Sequence, residues 1–116
     1  MCTGSPRVNY TIDYVNGSLY TYRPLINSGI KIMIYSGDVD GAVPTIGTRQ
    51  WIKKLNIPVL EEYQPWTIEE GQVSGYKEQY QGLLFVTVKG AGHMVPEFKP
   101  PEASHMINNW LHDIPL

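Results

Sequence analysis

Only one cysteine, Cys2, occurs in the 116 residues. That excludes an internal disulfide framework and any metal site built from cysteine ligands, and leaves a free thiol near a terminus as the plain reading. No apolar run approaches the ~18 residues that a membrane span requires. The opening Met1-Cys2-Thr3-Gly4-Ser5-Pro6-Arg7 lacks the apolar core of a signal peptide, an absence equally expected of a chain separated from its own leader. Charge of neither sign is blocked. Nine Lys and Arg stand against eleven Asp and Glu, for a net charge of −2. There is thus no basic footprint for nucleic acid. Internal repeats, low-complexity segments and linkers are missing too. No Gly-x-Ser-x-Gly pattern occurs, and Ser5, Ser18, Ser28, Ser36, Ser74 and Ser104 all lack that setting.

What is present fits one modest globular domain over residues 1–116, with 42% hydrophobic, 17% charged and 11% aromatic residues. Leu19, Tyr22, Leu25 and Ile26 share one helical face, which predicts a helix over 18–27 capped by Ser18, ended by Gly29 and bent or shortened by Pro24. The β-branched run Ile30 to Tyr35 then reads as a buried parallel strand. After Pro44, residues 45–55 predict a short helix whose inner side is Ile46, Trp51, Ile52 and Leu55. The Tyr- and Trp-rich stretch 59–81, punctuated by Gly71 and Gly75, predicts exposed strands or a hairpin. Leu83 to Val88 reads as a second buried strand. A closing helix opens at Pro100-Pro101 and sets Ala103, Met106, Ile107, Trp110 and Leu111 on one face. On that helix His105 and His112 read as surface residues. Helices alternating with strands define the α/β class.

The chemistry-bearing residues gather at two strand ends. Gly37-Asp38-Val39-Asp40-Gly41 follows the first buried strand, and Gly90-Ala91-Gly92-His93 follows the second. In open α/β sheets, loops at the carboxyl ends of strands converge over the sheet edge and carry active sites. An acid fixed beside an imidazole there bonds Nδ1–H, sets the tautomer and stabilises the imidazolium formed on proton uptake. The acid precedes the histidine by 53 residues, the acid-then-histidine order of α/β-hydrolases. A plain Asp-x-Asp-Gly turn with a structural loop histidine is the competing explanation. A cation held by Asp38, Asp40 and His93 is a weaker one, because no tight ligand motif accompanies them. Met94 reads either as core filler or as a pocket wall beside the ring.

Taken whole, Ile34-Tyr35-Ser36-Gly37-Asp38-Val39-Asp40-Gly41-Ala42-Val43-Pro44, followed by Lys89-Gly90-Ala91-Gly92-His93-Met94-Val95-Pro96, resembles the serine carboxypeptidase family. The resemblance implies the C-terminal portion of an α/β-hydrolase fold, made of the last sheet strands with flanking helices and a small hairpin. It also implies catalytic roles for Asp40 and His93 and a supporting role for Asp38; Met94, directly after the histidine, is expected in the substrate pocket, and no metal or cofactor is expected. The nucleophilic serine would come from an upstream part of the same enzyme, and so would the oxyanion hole and the cluster that holds a substrate's terminal carboxylate. Cys2 resembles a family cysteine that pairs with one in that upstream part.

The expected substrate is a peptide with a free C-terminus, with no membrane and no nucleic-acid partner. Acyltransferases share the scaffold, and a non-catalytic fragment or processed small chain acting only through a partner is the alternative of a different class. The sequons Asn9-Tyr10-Thr11 and Asn16-Gly17-Ser18 suit the vacuolar, lysosomal or secreted glycoproteins typical of the family.

Overall fold

A computed structural model describes residues 17–116. Cys2, Asn9 and Asn16 lie outside the described residues. The elements run α1 (Leu19–Asn27), β1 (Ile32–Gly37), α2 (Thr45–Lys54), β2 (Val59–Thr67), β3 (Val73–Tyr80), β4 (Leu83–Val88), α3 (Val95–Phe98) and α4 (Pro100–Leu111). The strands form one mixed sheet in the order β1-β4-β3-β2, with β1 parallel to β4 and the other pairs antiparallel.

Side-chain alternation divides the core. Met33, Leu84, Val86 and Val88 point to the face covered by Ala103 and Met106 of α4. Ile32, Ile34, Leu83 and Phe85 point to the opposite face, where α1 and α2 bring Leu19, Tyr22, Ile26 and Ile52. With helices on both faces, β4 can be apolar throughout, and five of its six residues are buried. Among the described residues β1 has a neighbour on one edge only, so its residues are half-buried up to an exposed Tyr35, where full burial was expected. α1 is tied to the end of α2 by Arg23, whose Nε and Nη2 donate to the carbonyls of Leu55 and Asn56, each at 2.9 Å. Those carbonyls lie where the α2 ladder runs out of partners.

Several expectations about helix faces need correction. Ile46 points outward, and Thr48 is the buried residue one turn before Ile52. On α4, Asn109 is buried while Leu111 is exposed, because the Asn109 amide donates to Pro115 O at 3.1 Å and draws the terminal residues over that face. His105 is half-buried. Its ring stacks on Trp66 with centroids 6.2 Å apart, and it meets the Asn109 amide. Ser18 makes no side-chain cap, and α1 continues through Pro24.

The hairpin β2–β3 carries a charged buried group, Glu78, facing Arg49 of α2 across 3.4 Å. Arg49 in turn lies over the Tyr63 ring, 4.1 Å from its centroid. Burial, and then the nearby Glu78 carboxylate, push the Tyr80 hydroxyl up to about 12. The unfolded phenol ionises near its ordinary value of 10, so this contribution is complete below that pH and is lost as pH rises through the folded value. Between those two values, stability measured by denaturant unfolding should fall steeply in the wild type and less in Tyr80→Phe.

Candidate active site

Because β1 and β4 are adjacent and parallel, with Gly37 level with Val88, their following loops leave the same sheet edge side by side. The backbones are stitched together there. Asp38 N–H donates to Val88 O at 3.1 Å and Val39 N–H to Ala91 O at 3.1 Å. The approach is close enough that a Cβ on Gly37 would fall 2.2 Å from Ala91 O, so only glycine fits at this crossing. Thr45, in the first turn of α2, secures the same corner by donating Oγ1 to Gly37 O at 3.0 Å.

The Asp40 side chain is 6% exposed, and each of its oxygens has a separate task. Oδ1 accepts the N–H groups of Ala42 at 2.8 Å and Val43 at 3.0 Å. Oδ2 lies 2.9 Å from His93 Nδ1. Those donors, Val43 first and then His93, hold the Asp40 carboxyl below its ordinary value of 3.8. It is therefore ionised at neutral pH and can only accept, so Nδ1 carries the hydrogen and the neutral ring presents Nε2 as an acceptor. The His93 side chain is 59% exposed, which leaves Nε2 open. Such an imidazole can take a proton at Nε2 and hold the resulting charge against the carboxylate.

The structure places the other sequence-derived site residues as follows. Asp38 is exposed and accepts Gly90 N–H at 2.6 Å through Oδ1, away from the ring. Met94 is exposed immediately before α3. No group of three His, Cys, Asp or Glu side chains suited to a metal exists among the described residues, and the Asp38 carboxylate turns to the backbone instead of toward Asp40 and His93. The donors Ala42 and Val43 escaped sequence reading because backbone amides carry no residue signature. Exposed Val39 and Val43, in the loop that carries Asp40, were also missed; their signal is apolar residues lodged in an otherwise polar loop. A hollow of about 400 Å3 lined by Lys31, Leu83, Asn109 and Trp110 lies at the opposite end of β1 and β4. It takes no part in this site.

A mixed sheet flanked by helices, with an acid and a histidine at adjacent parallel strand ends, defines part of an α/β-hydrolase. Residues 1–113 match the family model for serine carboxypeptidases. The chain is 41% identical over 107 residues to serine carboxypeptidase-like 34 of Arabidopsis thaliana, covering 92% of this chain and 21% of that one. It is 47% identical over 97 residues to serine carboxypeptidase 1 of Hordeum vulgare, covering 82% and 19%. A prohormone-processing carboxypeptidase from Saccharomyces cerevisiae superposes with a TM-score of 0.75 at 25% identity, over 84% of this chain and 23% of the other. This chain belongs to the serine carboxypeptidase family, and it spans about a fifth of the length of the curated relatives it matches.

Proposed function

We propose that this chain supplies the acid and the base of a serine-type carboxypeptidase, with Asp40 orienting His93. The 2.9 Å contact between Asp40 Oδ2 and His93 Nδ1 is the observation that carries this reading. His93 Nε2 removes the proton from a serine hydroxyl contributed by an upstream part of the enzyme. The serine oxygen then attacks the carbonyl of the last peptide bond. The imidazolium returns that proton to the departing amino acid, and water resolves the acyl-enzyme with His93 again as base. Met94, the exposed residue that follows His93, becomes a wall of the pocket for the substrate's side chain. Exposed Val39, Val43 and Met94 in the dyad-bearing loops suit coverage by the serine-bearing part. The same reading assigns glycans to Asn9 and Asn16, a disulfide from Cys2 to the upstream part, and a vacuolar, lysosomal or secreted setting.

Joining this chain to the upstream portion of the barley enzyme, in place of the matching segment, tests the proposal. The joined protein should release the C-terminal residue from a blocked dipeptide, and the 116-residue chain alone should release none. A folded but inert joined protein would leave the non-catalytic alternative standing. Transfer of the acyl group to a small hydroxyl compound in preference to water would make this an acyltransferase.

A further inference from the structure

Asp38 is chemically the same as Asp40 and only two residues away, yet it faces a different group. Its Oδ1 accepts Gly90 N–H at 2.6 Å, while its own backbone N–H donates to Val88 O at 3.1 Å. Asp38 thus grips the chain at two points two residues apart, one at the last residue of β4 and one in the loop beyond it. That loop leads directly to His93. Its other backbone anchors are Lys89 N–H to Ser74 O at 2.8 Å, Val39 N–H to Ala91 O at 3.1 Å and Ala91 N–H to Val88 O at 3.4 Å, none of which holds Gly90. Apart from Asp40 itself, Asp38 is the side chain that bonds this stretch among the described residues. A carboxylate accepting a backbone N–H makes a charge-assisted bond, stronger and shorter than a neutral one. Gly90 is three residues ahead of His93, so a change in its placement is transmitted to the ring over a short lever.

We infer that Asp38 is the positioning residue of the dyad: by clamping Gly90 it sets the path of the 89–93 loop and holds His93 Nδ1 within hydrogen-bond reach of Asp40. It acts through the backbone, touching neither the ring nor the substrate. The inference rests on the reading of Asp40 and His93 given under the proposed function.

The test uses the joined, serine-bearing protein, with rates expressed per site titrated by a serine-directed phosphonate, so that misfolded material does not count. Asp38→Ala should lower kcat between about tenfold and a hundredfold with KM within about twofold, the signature of a misplaced catalytic group. Asp38→Asn keeps an oxygen that can accept Gly90 N–H and should restore kcat to within about threefold of the wild type. Asp38→Ser, too short to reach, should match the alanine variant and replaces it if that variant yields no titratable sites.

A wild-type kcat in both truncations overturns the inference. So does a loss in Asp38→Asn as large as in Asp38→Ala, or a change confined to KM. His93→Ala run beside these variants, its rate expressed per mole of folded protein because its serine is no longer activated for titration, separates the two ideas. If it is inactive while Asp38→Ala is unimpaired, the positioning role alone fails. If it is fully active, or if the wild-type joined protein is inert, the dyad reading fails and takes this inference with it.

Discussion

Replacing His93 with alanine in the joined, serine-bearing protein is expected to lower kcat by about 10⁴-fold or more, with little change in KM. The size follows from what the ring alone provides. A serine hydroxyl is a poor nucleophile until a base takes its proton, and no other titratable side chain among the described residues has an open acceptor held by Asp40. What survives would come from oxyanion donors and substrate binding outside this segment. Steady-state hydrolysis of a blocked dipeptide, expressed per mole of protein shown to be folded by near-ultraviolet circular dichroism, provides the measurement. A kcat within about tenfold of the wild type would remove His93 from the mechanism.

A second large effect is expected where no chemistry occurs. Gly75 in β3 faces Trp66 in β2, and the indole lies across it to donate Nε1 to Thr87 O at 2.9 Å. A Cβ on Gly75 would stand 1.8 Å from Thr87 O and 2.7 Å from Trp66 Nε1. Neither neighbour can yield cheaply, since one is backbone of β4 and the other belongs to a fully buried ring at the centre of the α4-side core. Overpacking costs about 1–3 kcal/mol and a lost buried hydrogen bond about as much again, so Gly75→Ala should destabilise by roughly 3–5 kcal/mol. A small domain holds only about 5–15 kcal/mol in all, so a substantial share of the reserve would go. Denaturant unfolding of wild type and variant decides the matter, and a difference under about 1 kcal/mol would show that the strand pair separates easily.

The parts of this fold legible from sequence are those in which one residue type has one use. Leu83 to Val88 is apolar on both sides because both its faces are covered, and the parallel run before Gly37 was visible for the same reason. The two loops could be paired because strand ends locate them whatever the helices do. Helix faces were less legible. Ile46 counts as apolar in any periodicity, but it sits exposed in the first turn of α2, whereas Thr48, polar by type, is buried. His105 looked like a surface histidine until Trp66, 39 residues away in sequence, supplied a flat partner. The hairpin was recognisable from its aromatics and glycines, but not the burial of Glu78, which depends on Arg49 arriving from α2.

The sheet order has a consequence for how the protein is lost. β4 is last along the chain but interior in the sheet, wedged between β1 and the hairpin. Among the described residues it is the only strand that touches both, and His93 hangs from its end five residues on. Withdrawing it would divide the sheet into a lone strand and a ribbon, and in the same motion carry the imidazole away from the carboxylate. Ladder and Asp40–His93 contact therefore share one fastening. Heat or denaturant should extinguish both together, with no loosened intermediate that still keeps its base in place.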